Sequence, residues 1–199
     1  MVSPSSNQNR SGLYIKQPTG YKAFIPNDLP PNPPVEIDSE TSELLSRADR
    51  ALGRLDGATE ILPNASLFVA MYVRKEAVLS SQIEGTQASL IDILEYEAGG
   101  STSENPGDIE EVVNYVAAMN HGLERLKQIP VSLRLIKEIH AKLMQGVRGG
   151  ERSPGEFRTS QNWIGPPGCT LRTAKFIPPP PAHLIKHLGS LENFLHDPT

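Results

Sequence analysis

From Val78 to Leu90 the chain reads V-L-S-S-Q-I-E-G-T-Q-A-S-L. The residues ahead of it, Leu67, Phe68, Met71, Val78 and Leu79, recur at helical spacing, which predicts a helix from about Ala65 to Ile83. Gly85 is its expected stop, since glycine readily takes the left-handed conformation that follows many helix C-termini. This leaves Glu84 at the negative end of the helix macrodipole, a place that disfavours a carboxylate by about 0.3–1 kcal/mol. Two readings stay open at this point: a solvated glutamate, or one held by a cation elsewhere.

Outward from that helix the pattern remains helical. Upstream, Leu44, Leu45, Ala48, Ala51, Leu52 and Leu55 stand on one stripe of a helix predicted from about Ser39 to Leu55, expected to bury that face. Pro63 and Asn64 break the pattern before the next helix starts. Downstream, a short helix is predicted from about Ser89 to Glu97, followed by the connection Gly99-Gly100-Ser101-Thr102-Ser103. Pro106 opens a further helix through Ile109, Val112, Val116 and Leu126, proline being tolerated in the first turn. Ser132 caps another, running through Leu135, Ile136, Ile139 and His140 and ended by Gly146.

The two ends of the chain read differently. Residues 1–37 hold Pro18, Pro26, Pro30, Pro31, Pro33 and Pro34, so they are expected to form an extended arm, with Leu13, Tyr14, Ile15, Tyr21, Phe24 and Ile25 available to dock part of it. From Phe157 to Ile164, F-R-T-S-Q-N-W-I contains strand formers, and Lys175–Ile177 supplies a shorter partner across the turn-rich Gly165–Gly168, which predicts a β-hairpin. Pro178–Pro181 is a stiff spacer before a last helix from Ala182 to His196.

Composition limits what such a chain does. At 199 residues, with 38% hydrophobic residues, it is long enough to bury a sizeable core. Its formal net charge of −4 does not call for a polyanion partner, although a basic cluster can hide within that average. Cys169 is the single cysteine, which excludes an internal disulfide and fits a reducing, cytoplasmic setting. No run of about 18 apolar residues is present, so no membrane span is expected.

Familiar catalytic patterns are missing. His183 and His187 stand four apart, as two zinc ligands on a helix would, but Leu-Ile-Lys lies between them and no glutamate follows His183; an exposed pair is expected, and no metal site. Cys169 has no assigned base, and there is no G-x-S-x-G turn. Neither G-x-x-x-x-G-K-S/T nor G-x-G-x-x-G occurs.

Beyond these patterns, K-E-A-V-L-S-S-Q-I-E-G-T-Q-A-S-L, Lys75–Leu90, closely resembles the inhibitory helix of Fic-domain proteins, adenylyltransferases that move AMP from ATP onto target hydroxyls. P-G-E-F-R-T-S-Q-N-W-I-G, Pro154–Gly165, resembles their flap hairpin. The resemblance implies a mainly α, Fic-like helical bundle with one β-hairpin flap. It implies that Glu84 is the inhibitory glutamate, which pairs with an arginine and obstructs the ATP γ-phosphate position. Ser80 would be a supporting hydrogen-bonding residue and Gly85 the helix end that aims Glu84. Asn162, Trp163, Ile164 and Gly165 would lie in the flap, which adds a target segment by strand pairing.

One departure matters. The family's catalytic loop, H-P-F-x-D/E-G-N-G-R, is absent from these residues, and with it the base, the acidic Mg²⁺ ligand and the phosphate cradle. The bundle is therefore expected to be incomplete, with an arm at 1–37, an inhibitory region at 38–100 and the beginning of a Fic domain at 101–199. No catalytic residue is assigned. ATP and Mg²⁺ belong to the intact family member, and neither is expected to bind this chain tightly. Expected partners are a target protein at the flap and a Fic catalytic domain or a second copy, with no membrane and no nucleic acid. Two functions follow: the autoinhibitory and target-docking part of a Fic adenylyltransferase, or an antitoxin-like module that inserts Glu84 into a partner's catalytic domain. A non-functional fragment is a third, blander reading.

Overall fold

A computed structural model describes residues 10–100, 106–147 and 149–197. Mainly helical, as the sequence predicts, the chain divides into two compact units, one of residues 37–156 and the other joining the two ends of the chain, residues up to 36 and from 157. The predicted connection at Ser101–Ser103 and the first nine residues of the arm lie outside the described residues.

In the unit of residues 37–156, α1 (Ser39–Glu60), α2 (Ala65–Ile83), α3 (Leu90–Glu97), α4 (Pro106–Leu126) and α5 (Leu133–Leu143) follow one another. Their starts are written in the sequence. Asp38, Asn64, Ser89 and Ser132 each accept a hydrogen bond from the backbone N–H three residues on, satisfying a donor with no partner inside its helix. Ser89 and Asp92 form a reciprocal capping box, and the bonds from Ser89 hold the Asp92 carboxyl below its ordinary range.

The core of this unit is α2, α3 and α4. Ala77 and Val78 from α2 meet Ala88, Ile93 from α3, and Ile109, Val112 and Val116 from α4. Ile93 and Val112 are fully buried, each side chain contributing about 1.5–3 kcal/mol by leaving water. The helix α5 adds buried Leu135 and an ionic seam to α4: Arg125 donates twice to Glu138, at 2.6 and 3.1 Å, and Arg134 donates to it at 2.9 Å. These bonds hold the Glu138 carboxyl down to about 2.

One expectation fails on α1. The apolar stripe Leu44, Leu45, Ala48, Ala51, Leu52 and Leu55 was expected to be buried, yet no residue of α1 is buried. The helix is also longer than its apolar pattern, ending at Glu60 rather than Leu55, since nothing from Asp56 to Glu60 breaks it before Pro63.

In the other unit, β1 (Gly12–Lys16) pairs antiparallel with β2 (Lys22–Pro26), in the register Tyr14↔Phe24 and Lys16↔Lys22. Prolines do not prevent this pairing, because Pro26 stands at a strand end and Pro18 in the turn, where no ladder donor is lost. The other side of β2 docks: the Phe24 amide donates to the Ile177 carbonyl at 2.8 Å, and the Phe24 ring packs 5.9 Å from that of Phe176. The hairpin predicted for residues 157–177 is reduced to a single bridge, Ile164↔Phe176, with no strand on either side. Pro166, Pro167 and Pro178 flank that bridge and remove the donors that a longer ladder needs. After the proline spacer, α6 (Pro181–Leu195) closes the unit. His187 on α6 is half-buried with its Nδ1 3.7 Å from Asp28, so of the expected exposed pair His183 alone is exposed.

Candidate functional site

The end of α2 is built by its backbone. Glu84 is the last helical-type residue, Gly85 follows at φ +100°, and the Gly85 and Thr86 amides donate back to Gln82 and Ser81 at 3.1 Å. This double return is the Schellman closure, and it requires a residue at ease in the left-handed region. No atom stands within 4 Å of a Cβ built on Gly85, so glycine is needed here for conformation and not for space.

Thr86 then fixes the closure to α4. Its side chain is buried and its hydroxyl donates to Glu111 at 3.2 Å, while the Gln87 amide donates to Asp108 at 2.7 Å. The direction in which Glu84 leaves α2 is therefore tied to the first two turns of α4. The Glu84 side chain is exposed, with no hydrogen-bond or ion-pair partner among the described residues. Ser80 lies one turn earlier and donates to Glu76 at 2.8 Å, away from Glu84.

A cavity of about 390 Å³ opens beside this helix end. Ser80, Ser81, Glu84, Thr86 and Glu111 supply its polar rim, and Tyr115, Leu143, Met144 and Val147 its apolar wall. Two carboxylates, Glu84 and Glu111, thus border a pocket that no arginine or lysine among the described residues lines. The exposed Glu84 carboxylate, beside surface of low polarity, suits an incoming cation. The sequence reading singled out Ser80, Glu84 and Gly85 but missed Thr86, Glu111 and Tyr115. The i, i+4 spacing of Glu111 and Tyr115 on a predicted helix was the available signal.

The flap residues lie in the other unit. Trp163 is 41% and Ile164 64% exposed, and Asn162 is exposed as well. Trp163 is oriented by its indole N–H, which donates to the Cys169 carbonyl at 3.1 Å. Ile164 spends its backbone groups on the loop: its amide donates to Phe176, and its carbonyl accepts from Lys175 and Phe176. Gly165 has no room for a side chain, because a Cβ there would stand 2.6 Å from Cys169 Sγ. The loop closes tightly on itself, so the apolar side chains of Trp163 and Ile164 face solvent.

Residues 42–124 match the family model for the Fic/DOC family N-terminal region. The match runs from the first turn of α1 almost to the end of α4 and contains Ser80, Glu84 and Gly85. Over this segment the chain is similar to the N-terminal portion of Fic-domain proteins. Asn162–Gly165 lie beyond the matched residues. No helix among the described residues is long and apolar enough to cross a membrane.

Proposed function

We propose that this chain is the autoinhibitory and target-docking part of a Fic-type protein adenylyltransferase, and that Glu84 is its inhibitory group. The observation that carries this reading is the state of Glu84: exposed, its side chain without a partner among the described residues, aimed by a backbone closure anchored at buried Thr86, and bordering a pocket rimmed by a second carboxylate. An arginine of a Fic catalytic site is the cation that fits it. A carboxylate held against that arginine occupies the charge that ATP would need and repels the triphosphate, with little screening in a confined cleft. ATP and Mg²⁺ belong to the catalytic site, whose sequence pattern these residues do not contain. The flap, with Trp163 and Ile164 exposed, is the docking element for the target protein. A reducing, cytoplasmic setting goes with this reading and with the single thiol.

One experiment serves both arrangements, a catalytic site in the same polypeptide and one in a separate polypeptide. A Fic catalytic domain without an inhibitory segment is incubated with labelled ATP and target, with and without this chain. The native chain lowers AMP incorporation and the Glu84→Gly chain does not. Equal effects of the two chains, or no effect of either, remove Glu84 from the inhibitory role.

A further inference from the structure

The unit that joins the chain ends holds a second cavity, of about 470 Å³, between the β1–β2 hairpin and the loop after the flap. Three cations line it, Lys22 from the hairpin and Arg172 and Lys175 from the loop, and no carboxylate among the described residues does. None of the three makes a hydrogen bond or ion pair through its side chain among the described residues. Tyr14 and Tyr21 supply aromatic walls, and Ile177 an apolar one.

A separate observation points the same way. Lys16 and Lys22 are direct cross-strand partners in the hairpin, a like-charge pairing that destabilises a sheet. Residues 10–36 and 157–197 carry seven Lys and Arg against four Asp and Glu, in a chain whose net charge is −4. Positive charge is thus gathered in this unit and densest at the cleft. The walls are also tied together in advance. The Tyr21 hydroxyl donates to Gln161 at 3.2 Å, and the Phe24 amide to Ile177 at 2.8 Å.

We propose that this cleft receives an acidic segment of the target protein, carrying two or three Asp or Glu side chains with an aromatic or aliphatic residue beside them. A bound carboxylate neutralises the Lys16–Lys22 repulsion and bridges to Arg172 or Lys175, whose planar guanidinium also takes a carboxylate in two parallel bonds. A peptide fits better than a polynucleotide for two reasons. The cations line one discrete pocket and not a continuous stripe, and the chain's net negative charge repels a long polyanion. The choice of a protein segment as occupant rests on the reading of the flap as the docking element, because Arg172 and Lys175 belong to the loop that closes it.

The test uses the full 199-residue chain and a fluorescein-labelled dodecapeptide of Glu, Asp and Tyr, followed by anisotropy at low and high salt. Saturable binding that weakens with salt is expected. Lys22→Glu combined with Lys175→Glu should weaken it by about tenfold or more, the size expected for two modest charge contacts turned repulsive. Lys186→Glu, which reverses a charge on α6 outside the cleft, should leave it within about twofold. Circular dichroism verifies that each variant is folded. Absence of saturable binding, equal loss in the Lys186 variant, tighter binding of a twelve-residue oligothymidylate, or full displacement by millimolar inorganic phosphate would each overturn the proposal. No AMP transfer is measured, so failure here and failure of the inhibitory reading of Glu84 are told apart.

Discussion

Helices α1 and α4 are nearly equal in length, 22 and 21 residues, and both carry an apolar stripe at helical spacing. They meet opposite fates. Five residues of α4 are buried, Ile109, Val112, Val116, Ala118 and Gly122, whereas α1 buries none and leaves Leu52 63% exposed. Periodicity states which face of a helix seeks cover. It does not state whether the same stretch of chain provides the cover. For α4 the answer comes from sequence neighbours on both sides, α2 and α3 before it and α5 after it, all joined through short connections.

The largest effect should come from striking the buried side of this contrast. Ile109→Ala removes a side chain from the middle of the core and should cost about 2–5 kcal/mol in urea unfolding. Leu52→Ala on α1 should stay within about 0.5 kcal/mol in the same measurement. A comparable loss at Leu52 would show that its stripe is covered, and the contrast would collapse.

A smaller effect is expected where the loop after α2 is fastened to α4. Gly85→Ala places a side chain at φ +100°, with open space around it, so the cost is conformational alone, about 1–2 kcal/mol. Thermal unfolding reads it, and no loss would mean that the closure is not what holds the end of α2. Ser132→Ala removes the cap of α5 and should cost about 1 kcal/mol, checked by the same melt.

The ionic seam between α4 and α5 gives the smallest effect and a characteristic pH dependence. The folded-state value for Glu138, about 2, lies below its ordinary value of 4.5, because Arg125 and Arg134 stabilise the charged form. Its contribution is therefore present above the ordinary value and is lost as pH falls from about 4.5 towards 2. Glu138→Gln should lower the urea midpoint at pH 7, and the gap to the native chain should close across that window. A gap unchanged between pH 7 and pH 2 would remove the ionic contribution.

The same contrast explains what the sequence revealed. Helix starts were legible because the caps are local: Asn64, Ser89 and Ser132 each act on an amide three residues away. The stop at Gly85 was legible for a similar reason. The strands were misjudged where local signals competed. Prolines near Gly12–Pro26 hid a hairpin that they do not interrupt, and the strand formers of Phe157–Ile164 overstated a ladder that the flanking prolines shorten. At the candidate site, Ser80, Glu84 and Gly85 came from one continuous stretch, while Thr86 and Glu111 meet across 25 positions. No periodicity announces such a pairing. The cationic cleft was hidden in the same way, since Lys22 and Arg172 are brought together only by the docking of the hairpin.

The fastening of Thr86 has a consequence of its own. It separates the bearing of the chain from the cargo at its tip: backbone bonds and a buried threonine set the direction, and the exposed side chain at position 84 contributes to neither. Replacing Glu84 by glutamine, alanine or arginine should thus change the chemistry presented while leaving its mounting intact. Position 84 behaves as an interchangeable bit in a fixed tool holder, and variants there report on recognition with folding held constant.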